Sequence, residues 1–154
     1  MKIYLAGPLF SQGERSWQTT LKQGIQNWAA LQGAMLEVVF PFELVAPHEI
    51  ESQGSEAHRL VFARCLEHLD LSDVLVANLD GPQVDDGTAW EIGYFFARNP
   101  NGKERIIGIR TDSRRSGDVG DAQVNAMIER SCGRIVHSLQ ELIDVLQSLS
   151  EAGA

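Results

Sequence analysis

The chain has 154 residues, 44% of them hydrophobic, and a formal net charge of -8. This length and composition predict a single folded domain spanning residues 1–154 rather than a disordered chain. The acidic balance argues against nucleic acid or an anionic membrane as a partner, because both require a basic face. Cys65 and Cys132 are far apart, so neither a disulfide framework nor a zinc site is predicted. The sequence contains no signal-peptide pattern and no apolar run long enough to span a bilayer, which predicts a cytoplasmic protein.

Strand and helix patterns alternate through the first half of the chain. The apolar residues 2–6 predict a buried strand that ends at Gly7. The following helix has Ser11 as its predicted N-cap and an apolar residue on every turn. Residues 36–40 predict a second strand, and the polar segment 43–55 is predicted to be a loop long enough to fold over a site.

The alternation continues through the second half. Three more strands are predicted, at residues 73–79, 105–109 and 134–136. Helices are predicted over residues 56–71, from Asp86 or Gly87 onward, within residues 121–129, and after Ser138. Glu141 lies three residues after Ser138 and is predicted to complete a capping box. The polar residues 110–120 are predicted to form a mobile loop.

Five strands that alternate with helices predict an α/β fold with a parallel sheet between two layers of helices. The flavodoxin-like strand order 2-1-3-4-5 would place a ligand crevice between the ends of the first and third strands. Those ends carry residues 7–10 and 80–86. The sequence therefore predicts a site at this crevice.

Three carboxylates follow the third strand: Asp85, Asp86 and Glu91. Asp85 or Asp86 is a candidate N-cap, and Glu91 is one turn into the predicted helix, where an acid suits the helix dipole. Capping does not explain the aromatic residues next to Glu91 in the sequence. A carboxylate among apolar neighbours has a raised pKa and reacts more readily with carbon electrophiles. The aromatic residues are Trp90, Tyr94, Phe95 and Phe96.

Tyr4, on the first strand, is either a packing residue or a hydrogen-bond donor that orients a crevice carboxylate. Other chemistries have weaker support. The histidines stand in no catalytic context, no Gly-rich phosphate loop is present, and the acids lack a second group of metal ligands. We therefore expect neither a metal ion nor a cofactor.

Three segments, residues 3–10, 85–94 and 125–127, together resemble the nucleoside 2-deoxyribosyltransferase family. The resemblance spans nearly the whole chain and preserves the order of the motifs. It implies a flavodoxin-like fold and transfer of a 2-deoxyribosyl group between nucleobases with retention. The implied ligands are a deoxynucleoside and a free nucleobase, without a cofactor. It also implies a homo-oligomer whose sites are completed by a neighbouring subunit.

Carried over by position, the resemblance makes Glu91 the nucleophile that attacks C1′ and Tyr4 the residue that orients it. Asp85 would bind the sugar hydroxyls or assist proton transfer, and both roles stay open. Asn125 would reach the 5′-hydroxyl of a neighbouring subunit's substrate. The remaining implied substrate-binding residues are Gly7, Phe10, Asp86, Gly87 and Met127.

One position departs from the family pattern, because Cys65 stands where an Asp or Asn usually helps to handle the base. Either Glu67 or Asp70 serves instead, or Cys65 leaves protonation of the base to another group. Two other functions also stay open. Ser11 and Arg15 suggest a phosphate seat, which would suit a nucleoside 5′-monophosphate N-glycosidase. The fold would equally allow a non-catalytic nucleotide-binding module.

Overall fold

A computed structural model describes residues 1–152 of the chain. Its five strands form one parallel sheet in the order β2-β1-β3-β4-β5. The strands are β1 (Lys2–Ala6), β2 (Glu37–Val39), β3 (Val74–Asn78), β4 (Ile106–Ile109) and β5 (Arg134–Val136). The helices are α1 (Gln12–Gln32), α2 (Pro47–Gln53), α3 (Ala57–Asp70), α4 (Asp86–Arg98), α5 (Ala126–Ser131) and α6 (Leu139–Ala152). The predicted flavodoxin-like order is confirmed.

Two apolar clusters cover the two faces of the sheet, which makes the fold three-layered. Because side chains alternate along a strand, Ile3 and Leu5 of β1 point to the face covered by α1 and α6. Tyr4 and Ala6 point to the other face, which packs against α3, α4 and α5. Tyr4 pairs in register with Val39 on one side and Leu75 on the other, so its side chain starts from an interior strand of the sheet.

Each predicted strand is present, but the loop predicted at residues 43–55 and the bounds of the helix predicted within residues 121–129 were wrong. The segment predicted as a loop at residues 43–55 contains helix α2, which begins with proline at its first position. Glu49 accepts a hydrogen bond from the backbone nitrogen of Ala46 at 2.8 Å and so caps this helix. Helix α5 begins only at Ala126, because the Asn125 side chain accepts from the Met127 nitrogen at 2.9 Å and fixes the N-terminus there.

The ends of the two longest capped helices test the capping predictions. Ser11 caps α1 in a full capping box with Glu14, as predicted for Ser11. At α6 only half of the predicted box forms. The Ser138 hydroxyl accepts from the Glu141 nitrogen at 3.2 Å. The Glu141 carboxylate instead accepts from the nitrogen of His137 at 2.8 Å, one residue before the cap.

Arg110 begins the segment that was predicted as a mobile loop, yet its side chain is buried, with 1% exposed. Its guanidinium donates to the carbonyls of Leu79, Gly81 and Arg114. These bonds connect the end of β4 to the turn after β3. Asp80 adds to the connection by accepting from the backbone nitrogens of residues 111 and 112 at 2.6 and 2.8 Å.

Among the described helices, none is long and apolar enough to cross a membrane.

Candidate active site

The centre of the crevice is a hydrogen bond between β1 and α4. The Tyr4 hydroxyl donates to Oε1 of Glu91 at 2.6 Å. Tyr4 is fully buried, and its backbone is fixed by parallel pairing on both sides. Among the described residues Oε2 of Glu91 has no hydrogen-bond partner, so one carboxylate oxygen is held and the other is available.

Burial controls the charge of this pair. The pKa of Glu91 is raised to about 7, mainly because burial disfavours the carboxylate. The Tyr4 hydrogen bond opposes the rise in pKa, and the nearby charge of Asp85 adds to it. Burial and the Glu91 charge also raise the pKa of Tyr4, so the hydroxyl remains a donor. Near neutral pH, Glu91 is therefore close to the midpoint of its titration.

Asp85 and Asp86 begin α4 in different ways. Asp85 is the N-cap: Oδ2 accepts from the nitrogen of Thr88 at 2.9 Å and from its hydroxyl at 3.1 Å. Asp86 is exposed and accepts from the nitrogen of Gly87 at 2.8 Å. The capping interpretation is thus correct for Asp85 and does not apply to Glu91. Asp85 is also close enough to Glu91 to raise the pKa of that carboxylate.

A cavity of about 360 Å³ opens onto Glu91 between α3 and α4. Its other lining residues are Phe62, Leu66, Leu69, Gly87 and Trp90. Gly87 lies one turn before Glu91, and its lack of a side chain leaves the approach to the carboxylate open. A Cβ at Gly87 would lie 3.2 Å from Oδ2 of Asp85.

The sequence analysis missed Phe62, and it overstated the role of the aromatic residues on α4. The cavity is lined by apolar residues of α3 that are three and four positions apart, from Phe62 onward. Of the four α4 aromatics only Trp90 borders the cavity, while Phe95 is in the core and Phe96 is 37% exposed. The helical spacing of the apolar residues at positions 62, 66 and 69 was the signal in the sequence that could have identified this lining.

The position that departs from the family pattern is beside the central pair. Cys65 is half-buried, and its thiol contributes to the raised pKa of Tyr4. Burial also raises the pKa of the thiol itself. The two alternatives on α3 point elsewhere. Glu67 is exposed and pairs with Arg64 at 3.8 Å, while Asp70 accepts from the Tyr94 hydroxyl at 2.8 Å and pairs with Arg98.

The loop between β1 and α1 places Gly7 against a buried side chain. A Cβ at Gly7 would lie 1.5 Å from Nε2 of Gln18, which donates to the carbonyl of Ala6 at 3.1 Å. Gly7 is therefore required for the close approach of α1. Phe10 is 79% exposed at the surface of this loop.

The segment suggested as a phosphate seat, around Ser11 and Arg15, is bonded within its own loop. Oε2 of Glu14 accepts from the backbone nitrogens of Phe10 and Ser11 at 2.9 and 2.6 Å. Arg15 donates to the carbonyls of Leu9 and Phe10 at 2.9 and 2.7 Å. The Glu14 and Arg15 side chains therefore stabilise the loop that carries them.

Asn125 and Met127 lie at the start of α5. Asn125 is exposed, and its side-chain nitrogen donates to Asp118 at 3.0 Å. Met127 is 77% exposed. Within the described part of the chain neither residue has a hydrogen bond to Tyr4 or Glu91.

These observations define a class of protein: a flavodoxin-like α/β domain whose crevice presents a tyrosine-held carboxylate beside an apolar cavity. The profile of the family described as nucleoside 2-deoxyribosyltransferase matches residues 3–138. The chain therefore belongs to the nucleoside 2-deoxyribosyltransferase family. Membership indicates a deoxyribosyltransferase-like enzyme with nucleosides and nucleobases as substrates.

Individual proteins are similar to this chain in sequence or in fold. An uncharacterized protein of Ureaplasma parvum is 30% identical over 74% of this chain and 72% of its own length. A conserved protein of Enterococcus faecalis has a crystal structure with a TM-score of 0.75 and 28% identity, covering 96% of this chain and 97% of that one. The 2-deoxyribosyltransferase of Bacillus psychrosaccharolyticus has a TM-score of 0.73 at 23% identity, covering 93% and 90% of the two chains.

Proposed function

We propose that this protein transfers a 2-deoxyribosyl group from a deoxynucleoside to a free nucleobase, with retention, through a glycosyl ester on Glu91. One observation carries the proposal: the buried Tyr4 hydroxyl holds Oε1 of Glu91 at 2.6 Å and leaves Oε2 available. The family assignment supplies the substrate class, and the geometry supports the choice of nucleophile.

The reaction proceeds in two displacements at C1′. Oε2 of Glu91 attacks C1′ while the bond from C1′ to the base nitrogen breaks, and the base leaves with the electron pair and gains a proton. A nitrogen lone pair of the second base then attacks C1′. The ester bond breaks, Glu91 recovers its charge, and the incoming base loses a proton. Two inversions give net retention.

The surroundings of Glu91 suit both steps. Partial burial removes water from the carboxylate and raises its basicity, and therefore its reactivity toward C1′. The hydrogen bond from Tyr4 restricts the carboxylate to one orientation. In the second step Glu91 is the leaving group, and the same hydrogen bond stabilises the charge that returns to it.

Asp85 has one oxygen engaged in capping α4 and the other without a hydrogen bond among the described residues. We assign this second oxygen to accept a hydrogen bond from a sugar hydroxyl. Cys65 lies beside the pair as a neutral thiol, because its pKa is raised by burial. The proton that the departing base requires is assigned to solvent.

The proposal includes a homo-oligomer in which Asn125 and Met127 contact the substrate of a neighbouring subunit. Its support is that both side chains are exposed at the start of α5 and that, among the described residues, neither is hydrogen-bonded to the Tyr4–Glu91 pair of its own chain. The exposed Phe10 and Asp86 and the loop glycines Gly7 and Gly87 are proposed to border the substrate of their own subunit.

The test is a base-exchange assay with deoxyinosine plus adenine, and separately thymidine plus adenine. Deoxyadenosine in the first tube, and its loss in Glu91→Ala, is the expected result. Glu67→Ala is the matched control, because it removes an exposed glutamate from α3. The second tube shows whether pyrimidine nucleosides are donors. Free hypoxanthine without deoxyadenosine would assign the protein to hydrolases, and binding without any turnover would assign it to non-catalytic modules.

A further inference from the structure

The cationic side chains without a partner are concentrated in two short segments of the chain. Every other lysine and arginine pairs with a carboxylate or donates to backbone carbonyls. Within residues 1–152 the side chains with neither an ion pair nor a hydrogen bond are those of Lys103, Arg105, Arg130 and Arg134. Opposite charge is abundant, because the chain has 21 acidic residues and a net charge of -8.

The two segments meet at the start of β4 and β5. The nitrogen of Gly133 donates to the carbonyl of Ile106 at 2.9 Å, which joins the beginnings of these strands. A Cβ at Gly133 would lie only 2.6 Å from the carbonyl oxygen of Lys103. Glycine at this position therefore lets residues 103–105 pack against residues 130–134.

A cavity of about 310 Å³ lies between these segments. Lys103, Arg130 and Arg134 line it, and Glu129 is the carboxylate in its lining. Glu129 already accepts a hydrogen bond from the nitrogen of Gln123 at 3.3 Å. Scattered surface cations are explained by solubility, but three that share one cavity without a counter-ion create a positive potential that favours an anionic ligand.

This cavity is separate from the crevice at Glu91. The strands of a parallel sheet all start at one edge, and the ligand crevice is at the edge where they end. The cavity is at the start of β4, and this strand extends about 10 Å between the two edges. Its lining shares no residue with that of the cavity between α3 and α4.

We propose that the cavity at the start of β4 and β5 binds a small phosphorylated molecule through Lys103 and Arg130. A guanidinium presents parallel N–H groups that match two phosphate oxygens, and an ammonium adds a point charge. The volume is at the lower end of the range for small-ligand pockets, and the net charge of -8 disfavours a nucleic acid as the source of the phosphate. Arg134 also borders a second cavity, together with Glu141 and Asp144, so the assignment rests on the other two cations.

The experiment is a calorimetric titration of the full chain with pyrophosphate and, separately, with ADP. At low salt the native chain should bind at least one of them with a Kd of about 1 mM or tighter, and added salt should weaken the binding. Lys103→Gln and Arg130→Gln should each weaken it at least about tenfold, because each removes a charge-assisted hydrogen bond to phosphate. Tighter binding of ADP would identify a nucleotide as the ligand, and equal or tighter binding of pyrophosphate would identify the inorganic anion.

Arg59→Gln is the matched control, because it removes the same charge from an exposed side chain of α3 outside the cavity. Its affinity for both probes should equal that of the native chain. Lys103 and Arg130 are exposed, so their variants should also keep the native urea midpoint. An unchanged midpoint shows that lost binding does not come from unfolding.

Failure of the native chain to bind either probe at millimolar concentration would overturn the proposal. Binding that persists in Lys103→Gln and Arg130→Gln would place the anion elsewhere, and an equal loss in Arg59→Gln would show only an effect of net charge. If these two variants change the sedimentation of the protein but not its affinity for the probes, the cations belong to a contact between copies of the chain, and the proposal fails. None of these measurements depends on base exchange, so their outcome is independent of the proposed transferase reaction.

Discussion

Replacing Tyr4 with phenylalanine removes a single oxygen atom, the one that donates to Glu91 at 2.6 Å. The burial that raises the pKa of Glu91 remains, and the hydrogen bond that opposes this rise disappears. A hydrogen bond to a charged group contributes about 1.5–3 kcal/mol, and one pKa unit corresponds to about 1.4 kcal/mol. The pKa of Glu91 should therefore increase by roughly one to two units above its value of about 7.

The assay is the pH dependence of kcat/KM in base exchange. In the proposed reaction the attacking group is the carboxylate, so activity in the native chain should rise with pH through about 7. In Tyr4→Phe the rise should move to roughly pH 8–9, and ionisation alone should reduce kcat/KM at pH 7 by about 5- to 50-fold. The loss should shrink as the pH increases.

Tyr94→Phe is the matched control, since the chain has two tyrosines and the Tyr94 hydroxyl donates to Asp70 at 2.8 Å instead. Its pH profile should coincide with that of the native chain. The rise of activity with pH is assigned here to the Tyr4–Glu91 pair. A rise at the native pH in Tyr4→Phe, or an equal shift of the rise in Tyr94→Phe, would refute this assignment.

Three further outcomes follow from the same geometry. The pKa of Glu91 rises from 4.5 to about 7 on folding. As pH rises from 4.5 through 7, the unfolding free energy of the native chain should therefore fall by about 3 kcal/mol relative to that of Glu91→Gln. Denaturation midpoints of the two proteins that keep a constant difference across this range would contradict the prediction. Gly7→Ala should lower the unfolding free energy by about 1–3 kcal/mol, because the new Cβ displaces Gln18; an unchanged urea midpoint would refute the requirement for glycine. Glu91→Ala and Asn125→Ala should each be inactive alone. Activity should return when the two variants are unfolded and refolded together, because mixed oligomers contain some sites with both native residues. If mass spectrometry detects mixed oligomers and activity does not return, a site shared between subunits is excluded.

The sequence predicted the frame of the fold because its apolar runs are short, separated by turn residues and alternate with helical patterns. Each of the five strands is flanked in the sequence by at least one turn-forming residue that marks its end, such as Gly7 after β1 or Pro41 after β2. Helix α2 was missed because it is short and its residues show no apolar period. The cue was local instead: proline at the first position and Glu49 at the third.

The site was predictable only in part, since a motif gives residue types but not distances. Glu91 and Tyr4 were candidates from sequence, yet their separation of 87 positions hides a contact of 2.6 Å. The hydrogen bonds of Glu14 were hidden for a different reason. The pattern Ser-x-x-Glu predicts a capping box, but only the structure shows that the same carboxylate also accepts a hydrogen bond from the nitrogen of Phe10.

The burial of Glu91 is itself an argument for function over capping. Asp85 already caps α4, and Glu91 has no ion pair with lysine or arginine among the described residues. A largely buried carboxylate with a single hydrogen-bond donor costs folding free energy, and well-packed apolar residues of similar size would be more stable. A chain folded only for stability would gain from a leucine at this position. The charge is therefore best explained by chemistry at the available oxygen, where the cavity between α3 and α4 opens onto it.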